Sequence, residues 1–196
     1  MTAESMLHIL LASASPGRRA LLEDAGFVVT QSPSGISEEL KFRDPEALAL
    51  RLAEDKLAAA CSMHGSLEHY DAVITADTVI AGNSSVIGKP ATRKEAAGML
   101  RRFSGSTHRV ISGFALYLPG QDRRYSGVSV STVVFRNLSP ADIEDYLASG
   151  EWAGAAGAYR VQGRGITLIS SIIGSYYTVV GLPLQDISGI LRERGM

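Results

Sequence analysis

The chain has 196 residues, of which 45% are hydrophobic and 20% charged, and its formal net charge is −1. This length favours one domain, which can consist of two lobes. The composition is typical of a globular protein rather than a disordered or membrane protein. The near-neutral charge and a pI near 6.4 argue against a broad nucleic-acid surface and are compatible with a small basic pocket for an anionic small molecule.

Cysteine use and the N-terminal sequence bear on the location of the protein. Cys61 is the single cysteine, which excludes an internal disulfide and a cysteine-based metal site and suits a reducing cytoplasm. The N-terminus lacks a basic region followed by a signal-like apolar run, and no stretch approaches about 18 apolar residues. We therefore expect a cytoplasmic protein that does not span a membrane.

The first predicted elements are a strand at 9–12 and a helix at 18–25, joined by a turn. Ser15 can cap this helix, whose first N–H groups and positive dipole end then point outward. Arg18 and Arg19 add two forked cations at the same place. This combination predicts a phosphate site, and the alternative is an ordinary strand-to-helix turn with solvated arginines.

A second strand is predicted at 27–30, and a loop of breaker residues follows at 31–35. Glu38 and Glu39 come shortly after this loop. Two loop acids are compatible with a solvated surface, but a carboxylate near a phosphate site is also what Mg²⁺ needs. Both interpretations of Glu38 remain open from the residues alone.

Asp44 followed by Pro45 predicts the start of a long helix that runs to about Met63. On the wheel of this helix, Lys56 falls within the apolar arc rather than on the polar face. A lysine in that position must extend its ammonium to solvent, pair with an acid, or serve a site. All three interpretations remain open at this point.

The strongest strand signal spans 72–81, and Asp77 lies in its middle. Such an apolar run suits a strand buried on both faces, where an unpaired carboxylate is costly. Asp77 must therefore be paired, bound to a metal, or located where the strand opens into a cleft. The alternative is a turn aspartate between two short strands.

A lysine follows this strand in a constrained loop. Lys89 lies between Gly88 and Pro90, and a lysine held in such a loop can contact a phosphate. The alternative is an exposed surface lysine.

The second half of the chain predicts helices and strands in a less regular order. Thr92 and Glu95 form a capping box that starts a helix over 93–103. The other predicted elements are strands at 108–118, 125–135 and 166–173, a helix from 139 to about 148, and a C-terminal helix that ends near 194. The glycine-rich stretch 150–165 allows close approach to a ligand or marks tight bends, and it matches no standard nucleotide motif.

Strands that first alternate with helices and then meander predict an α/β protein with a mixed sheet and a cleft between two lobes. The sequence lacks GxSxG, HExxH and a Cys/His pairing, which weakens serine-hydrolase, zinc-protease and thiol mechanisms. The groups that remain are the cations Arg18, Lys56 and Lys89 and the carboxylates Glu38 and Asp77. Together they can handle a polyphosphate with a divalent metal.

An ordered set of motifs spans nearly the whole chain. The motifs are LASASPGRR at 11–19, RLAEDK at 51–56, ADTV at 76–79, GKP at 88–90, SGSTHRV at 104–110, GAYRVQG at 157–163 and GSYYTVVGLPL at 174–184. In this order and spacing, the set closely resembles the Maf family of nucleoside triphosphate pyrophosphatases.

This resemblance implies a single domain of two lobes over 1–196, with an elongated mixed sheet, flanking helices and a cleft, similar to the inosine-triphosphate pyrophosphatases. It implies hydrolysis of a nucleoside triphosphate to the monophosphate and pyrophosphate in the cytoplasm, with a divalent cation, Mg²⁺ or Mn²⁺. Stable nucleic-acid binding and membrane association are not expected, and a homodimer is left open.

The resemblance also implies roles for individual residues. Asp77 matches the family's proposed proton acceptor, and Glu38 matches a loop acid that helps to hold the metal, a role that Asp77 can share. The positions that match substrate contacts are Ser13, Arg18, Lys56, Lys89 and Gln162. Among these, the three cations match the phosphate site.

Gly17, Thr78 and Gln162 match positions associated with the choice of base. The Thr78 and Gln162 pair is similar to the branch that prefers dTTP and UTP over methylated guanine nucleotides, which implies dTTP, UTP or modified pyrimidine nucleotides as substrates. Gly17 departs from the pattern, because the pyrimidine branch commonly has arginine there and the methyl-guanine branch a bulky aromatic residue. Two more positions depart from the family pattern: Ala155 stands where the family often has lysine, and Thr178 stands where asparagine is common.

Other functions remain open on the sequence. A rival enzyme is a general phosphatase or nucleotide-sugar hydrolase, which the identity of the released product would separate. A different class is a non-catalytic nucleotide-binding regulator of cell division, which would bind nucleotide without metal-dependent turnover. Asp77 as a general base and Asp77 as a metal ligand are both compatible with the motifs.

Overall fold

The computed structural model describes residues 6–35, 44–82 and 86–193. These residues form strands and α-helices joined by turns and short 3₁₀ helices. The strands are β1 (His8–Leu11), β2 (Val28–Gln31), β3 (Ala72–Ala81), β4 (Val86–Ile87), β5 (Thr107–Leu118), β6 (Arg123–Phe135) and β7 (Ile169–Ile173). The helices are α1 (Pro16–Asp24), α2 (Pro45–Met63), α3 (Arg93–Phe103), α4 (Pro140–Ala148), α5 (Tyr176–Val180) and α6 (Leu184–Glu193).

The strands form one sheet in the order β2-β1-β3-β5-β6-β7, and β4 pairs with β3. β1 is parallel to β2 and to β3, whereas β3 with β4 and β6 with β7 are antiparallel. The sheet is therefore mixed, and the predicted α/β class with a mixed sheet and flanking helices is confirmed. The predicted cleft between two lobes stays a prediction.

The chain divides into two compact units. Unit 1 comprises Met1–Asp77, Ser112–Ser129 and Gly181–Met196, and unit 2 comprises Thr78–Ile111 and Val130–Val180. β3, β5 and β6 each contribute residues to both units, because the chain changes unit within these three strands. Asp77 is the last residue of unit 1 in β3.

A hydrophobic core in unit 1 packs α2 against the sheet. Its buried members come from α2, from β1, β3 and β5, and from the loops beside them. They are Leu10, Ala12, Ala53, Leu57, Ala60, Tyr70, Val73 and Ala115. Small alanines on the inner face of α2 let the helix approach the strands closely.

A second core lies in unit 2 and is rich in aromatic rings. It packs α3 and α4 on strand residues and on the glycine-rich stretch, and its larger members include Leu100, Phe103, Phe135, Tyr146 and Tyr159. α4 begins with a full capping box of Ser139 and Asp142. In the described part of the chain, no helix has both the length and the apolarity needed to cross a membrane.

Most predicted elements are confirmed, with the same bounds at α3 and β3. The predicted start of the last strand is wrong: residues 166–168 belong to the 3₁₀ helix Gly163–Leu168, and the strand begins only at Ile169. Arg136 contributes to this difference, since its Nε donates to Thr167 O at 2.6 Å and its backbone N donates to Leu168 O. The sequence analysis also missed α5, and at α3 the Glu95 carboxylate accepts from Ala91 N rather than from the Thr92 N–H of a full capping box.

Candidate active site

The contact between α2 and β3 sets the position of the candidate site. Gly113 of β5 lies directly under α2, where an added Cβ would come within 2.2 Å of Ala49 O. One turn further along the helix, Thr75 Oγ1 donates to Ala53 O at 2.7 Å. Because side chains two residues apart on a strand share a face, Asp77 points to the same side as Thr75, toward α2.

Lys56 meets Asp77 at this contact. The Lys56 ammonium donates to Asp77 Oδ1 as a buried ion pair, and both residues are less than 9% exposed. The two residues share the buried face of the α2–β3 contact with Ala53 and Thr75. The lysine in the apolar arc of α2 and the acid in β3, which are distant in the sequence, therefore form one ion pair.

The pair decides between the interpretations that the sequence left open. Asp77 lies inside the continuous strand β3, so the alternative of a turn aspartate between two short strands is wrong. Lys56 is buried and paired, so extension of its ammonium to solvent is also wrong. Burying two charges is costly, and removing one partner would leave the other uncompensated.

The turn between β1 and α1 is held by short polar side chains. Ser15 is the N-cap of α1, and its side chain accepts from Arg18 N at 3.4 Å, as predicted. Gln31 Nε2 donates to Ser13 O at 2.6 Å, and Ser13 Oγ accepts from Ser15 N at 3.3 Å. The first turn of α1 is thereby fixed beside the ends of β1 and β2.

Arg18 links this turn to the strand that carries the acid. Its Nη1 donates to Ala76 O at 2.8 Å and to Ser13 Oγ at 2.9 Å, and its Nε donates to Gly181 O at 2.8 Å. The guanidinium is therefore held on the carbonyl of the residue directly before Asp77. Four predicted site residues thus come together in unit 1: Ser13, Arg18, Lys56 and Asp77.

This cluster has two cations and one carboxylate, so its formal charge is positive. Arg18 is held by a hydrogen bond to Ala76 O, and Lys56 by its bond to Asp77 Oδ1. A positive, partly buried cluster at the start of a helix favours an anionic ligand, and a carboxylate among the cations can orient or deprotonate water.

The other predicted site residues in the described chain are distributed over both units. Lys89, Thr78 and Gln162 belong to unit 2, where Lys89 is exposed and the other two are half-buried. Gly17 is the second residue of α1. Glu38 lies outside the described residues.

The comparisons with known proteins bear on this cluster. The family model described as Maf-like protein matches residues 8–194. The chain belongs to the Maf-like family. Curated relatives named dTTP/UTP pyrophosphatase include one from Clostridioides difficile, 38% identical over 95% of both chains. Another from Deinococcus radiodurans is 39% identical over 100% of this chain and 97% of its own, and one from Pyrococcus furiosus is 37% identical over 95% of both.

A match among solved structures is much weaker. The lipoprotein GNA1162 from Neisseria meningitidis aligns over 74% of this chain and 94% of its own, with 13% identity and a TM-score of 0.29. At that level the likeness carries no argument about this Maf-like chain.

The donors for a metal come from acidic, histidine and cysteine side chains. Within residues 6–35, 44–82 and 86–193, no group of three or more His, Cys, Asp or Glu residues could hold an ion. Asp77 contributes one carboxylate to the candidate site. One carboxylate is compatible with Mg²⁺ bound through one or two carboxylates together with substrate phosphates.

Several residues that shape the site were not singled out in the sequence analysis. Gln31 holds the β1–α1 turn, and Thr75 and Gly113 set the approach of α2. A glycine inside a strand signals close backbone approach, so Gly113 could have been found. Gln31 and Thr75 carry no such local signal, because their partners are backbone carbonyls distant in sequence.

Proposed function

We propose that this protein hydrolyses dTTP and UTP to the nucleoside monophosphate and pyrophosphate. The observation that carries the proposal is the buried Lys56–Asp77 pair, with Arg18 bound to the carbonyl beside it. Membership in the Maf-like family and the names of its curated relatives support the same activity. The positive charge of the cluster suits a triphosphate.

The chemistry that we propose is attack of water on the α-phosphorus. The water oxygen bonds to the α-phosphorus, and Asp77 accepts a proton from this water. The bond from phosphorus to the α,β-bridging oxygen breaks, and pyrophosphate leaves. Arg18 and Lys56 neutralise charge on the phosphate oxygens and on the departing pyrophosphate. An ammonium has three donors, so Lys56 can contact both Asp77 and a phosphate oxygen.

We also propose that the reaction uses a divalent cation, Mg²⁺ or Mn²⁺. Asp77 would be a ligand of this cation among the described residues, and Glu38, which lies outside the described residues, would be a second ligand. When bound, the cation would neutralise charge on the triphosphate. Support comes from the family resemblance and from a donor set that fits a cation shared with substrate phosphates.

The remaining assignments are proposals from the family resemblance. Lys89 adds a phosphate contact and Ser13 a contact near the β1–α1 turn. Gly17, Thr78 and Gln162 set the preference for the base. Gly17 provides less side-chain contact than the arginine common in the pyrimidine branch, so we expect Thr78 and Gln162 to carry most of the discrimination in this chain.

We further propose a cytoplasmic location, supported by the single cysteine, and no stable complex with nucleic acid, supported by a pI near 6.4. A single domain of two lobes and a homodimer both stay predictions. Size-exclusion chromatography with light scattering would determine the oligomeric state.

The experiment that tests the activity is a panel of nucleoside triphosphates, including dTTP, UTP and methylated-base nucleotides, with Mg²⁺ or Mn²⁺. Pyrophosphate and orthophosphate are measured separately in each reaction. We expect stoichiometric pyrophosphate and monophosphate, with the highest kcat/KM for dTTP and UTP. Release of orthophosphate would identify a phosphatase instead, and saturable binding without turnover would identify a non-catalytic nucleotide-binding protein.

A further inference from the structure

The starting observation concerns how the 3₁₀ helix Gly163–Leu168 begins. Gln162 is its N-cap residue, with an extended backbone at φ −73° and ψ 140°, but its side chain makes no capping hydrogen bond. An N-cap side chain ordinarily accepts from the N–H groups two and three residues later. In this helix those N–H groups belong to Arg164 and Gly165.

A different side chain takes both N–H groups. The Glu151 carboxylate accepts from Arg164 N at 3.0 Å and from Gly165 N at 3.3 Å. Gly163 lies against the same carboxylate, since an added Cβ would come within 2.9 Å of Glu151 Oε1, and its φ is +77°. Glu151 therefore caps a helix that starts twelve residues after it, in place of the residue at the cap position.

The other end of the same turn is also held by a side chain. Tyr146 Oη accepts from Arg160 N at 3.1 Å, and Tyr146 is 2% exposed in the core of unit 2. The turn is tight, because a Cβ at Gly165 would lie 1.9 Å from Arg160 O. Gln162 thus lies in the middle of a segment whose two ends are fixed from α4 and from the turn after it.

This arrangement has a direct consequence for the amide of Gln162. Arg164 N and Gly165 N already donate to Glu151, so the Gln162 side chain does not accept from them. Gln162 stays half-exposed. Without the Glu151 carboxylate, the two N–H groups would lack an acceptor, and the Gln162 amide oxygen would be the local group placed to supply one.

We propose that Glu151 is a positioning residue for base discrimination: by capping the helix in place of Gln162, it keeps the Gln162 amide available to the nucleotide base. This inference rests on the proposed function, in which Gln162 contacts the base. Tyr146 supports the same turn from its other end.

The test is a double-mutant cycle on the discrimination ratio, defined as kcat/KM for dTTP divided by kcat/KM for dGTP. We expect Gln162→Ala and Glu151→Ala each to lower this ratio roughly five- to tenfold, the size of one lost hydrogen bond. The double variant should match Gln162→Ala, because both changes remove the same contact. Glu151→Gln keeps one acceptor oxygen and should recover part of the ratio.

Glu95→Ala is the matched control. Glu95 is also a carboxylate of unit 2 that accepts from a backbone N–H before a helix, that of Ala91, but it is remote in sequence from the Gln162 turn. Its loss should lower thermal stability about as much as Glu151→Ala and leave the discrimination ratio unchanged. A ratio that falls equally in both variants would show a general effect of destabilisation and overturn the proposal.

Two other outcomes would also overturn it: a discrimination ratio in Glu151→Ala equal to that of the wild type, or multiplicative losses in the double variant. Failure of the proposed function looks different, because the wild type itself would release no pyrophosphate. In that case the dissociation constants of dTTP and dGTP replace kcat/KM in the same cycle. If the wild type did not distinguish these two nucleotides in binding either, the positioning role would be overturned as well.

Discussion

Each unit of the molecule buries a pair of polar side chains, and the two pairs differ in charge. In unit 1, Lys56 and Asp77 form a buried ion pair. In unit 2, His108 Nε2 and Tyr159 Oη lie 2.8 Å apart, with the rings of Phe103 and Phe135 against the imidazole. Burial lowers the pKa of His108 to about 4, so this second pair is neutral at pH 7.

In the function that we propose, the difference in charge separates a reactive pair from a structural pair. The neutral pair of unit 2 is enclosed by aromatic rings and buries no charge, although His108 Nδ1 finds no hydrogen-bond partner among the described residues and its burial therefore carries a cost. A buried ion pair does not need to be explained by stability, because well-packed apolar residues in its place often make a protein at least as stable. Its presence therefore points to a function. In the function that we propose, this cluster of unit 1 binds and cleaves a triphosphate, which would provide a reason for the pair.

The largest expected effect tests the charged pair directly. Asp77→Asn keeps the shape of the side chain and removes the proton acceptor, so kcat for pyrophosphate release from dTTP should fall about 10²- to 10⁴-fold. Circular dichroism should show that the fold is retained. Unchanged turnover would refute the catalytic role of Asp77.

The next effect is on stability. Lys56→Met leaves the Asp77 carboxylate buried without its partner, and we expect a loss of about 3 to 5 kcal/mol in the free energy of unfolding, together with weaker triphosphate turnover. Denaturant titration measures the loss. The double variant Lys56→Met with Asp77→Asn should recover most of it, and a double variant as unstable as the single one would contradict the pairing.

A smaller effect probes the neutral pair by pH. Because the pKa of His108 is about 4 in the folded chain and near 6.5 when unfolded, the unfolded state binds more protons between these values. The free energy of unfolding should therefore be fully retained above pH 6.5 and fall as pH drops toward 4, by about 3 kcal/mol from this residue.

His108→Phe is the control for this pH dependence. It removes the titrating group, so its stability should change less with pH than that of the wild type over the same range. The comparison uses urea unfolding at several pH values. Parallel curves for the two proteins would mean that His108 does not titrate differently on folding.

The smallest effect separates neighbouring arginines at the β1–α1 turn. Arg19 is 49% exposed and pairs with Glu23 at 2.8 Å one helical turn away, so Arg19→Ala should change stability by less than about 0.5 kcal/mol and leave kcat/KM unchanged. Arg18→Ala removes the bonds to Ala76 O and Gly181 O and should reduce both quantities. Similar kinetics for the two variants would contradict the assignment of Arg18 to the site.

Local sequence signals predicted much of the fold. Ser15, and Asp44 with Pro45, mark helix starts that the structure confirms, because a cap bonds only to its own first turn. The apolar run at β3 is confirmed over its full length. The strand prediction at 166–168 fails because bonds from Arg136, thirty residues earlier, hold that segment as a 3₁₀ helix.

The sequence by itself placed Lys56 within the apolar arc of a helix and Asp77 in an apolar run typical of a buried strand, since helical and strand periodicities are local. Only the tertiary structure decided that each is the other's partner, through the close approach of Ala49 to Gly113 and the bond from Thr75 to Ala53 O. In the same way, no local pattern joins Glu151 to the N–H groups of Arg164 and Gly165. Local preference specifies which groups a segment offers, and packing between segments distant in the chain specifies which groups meet.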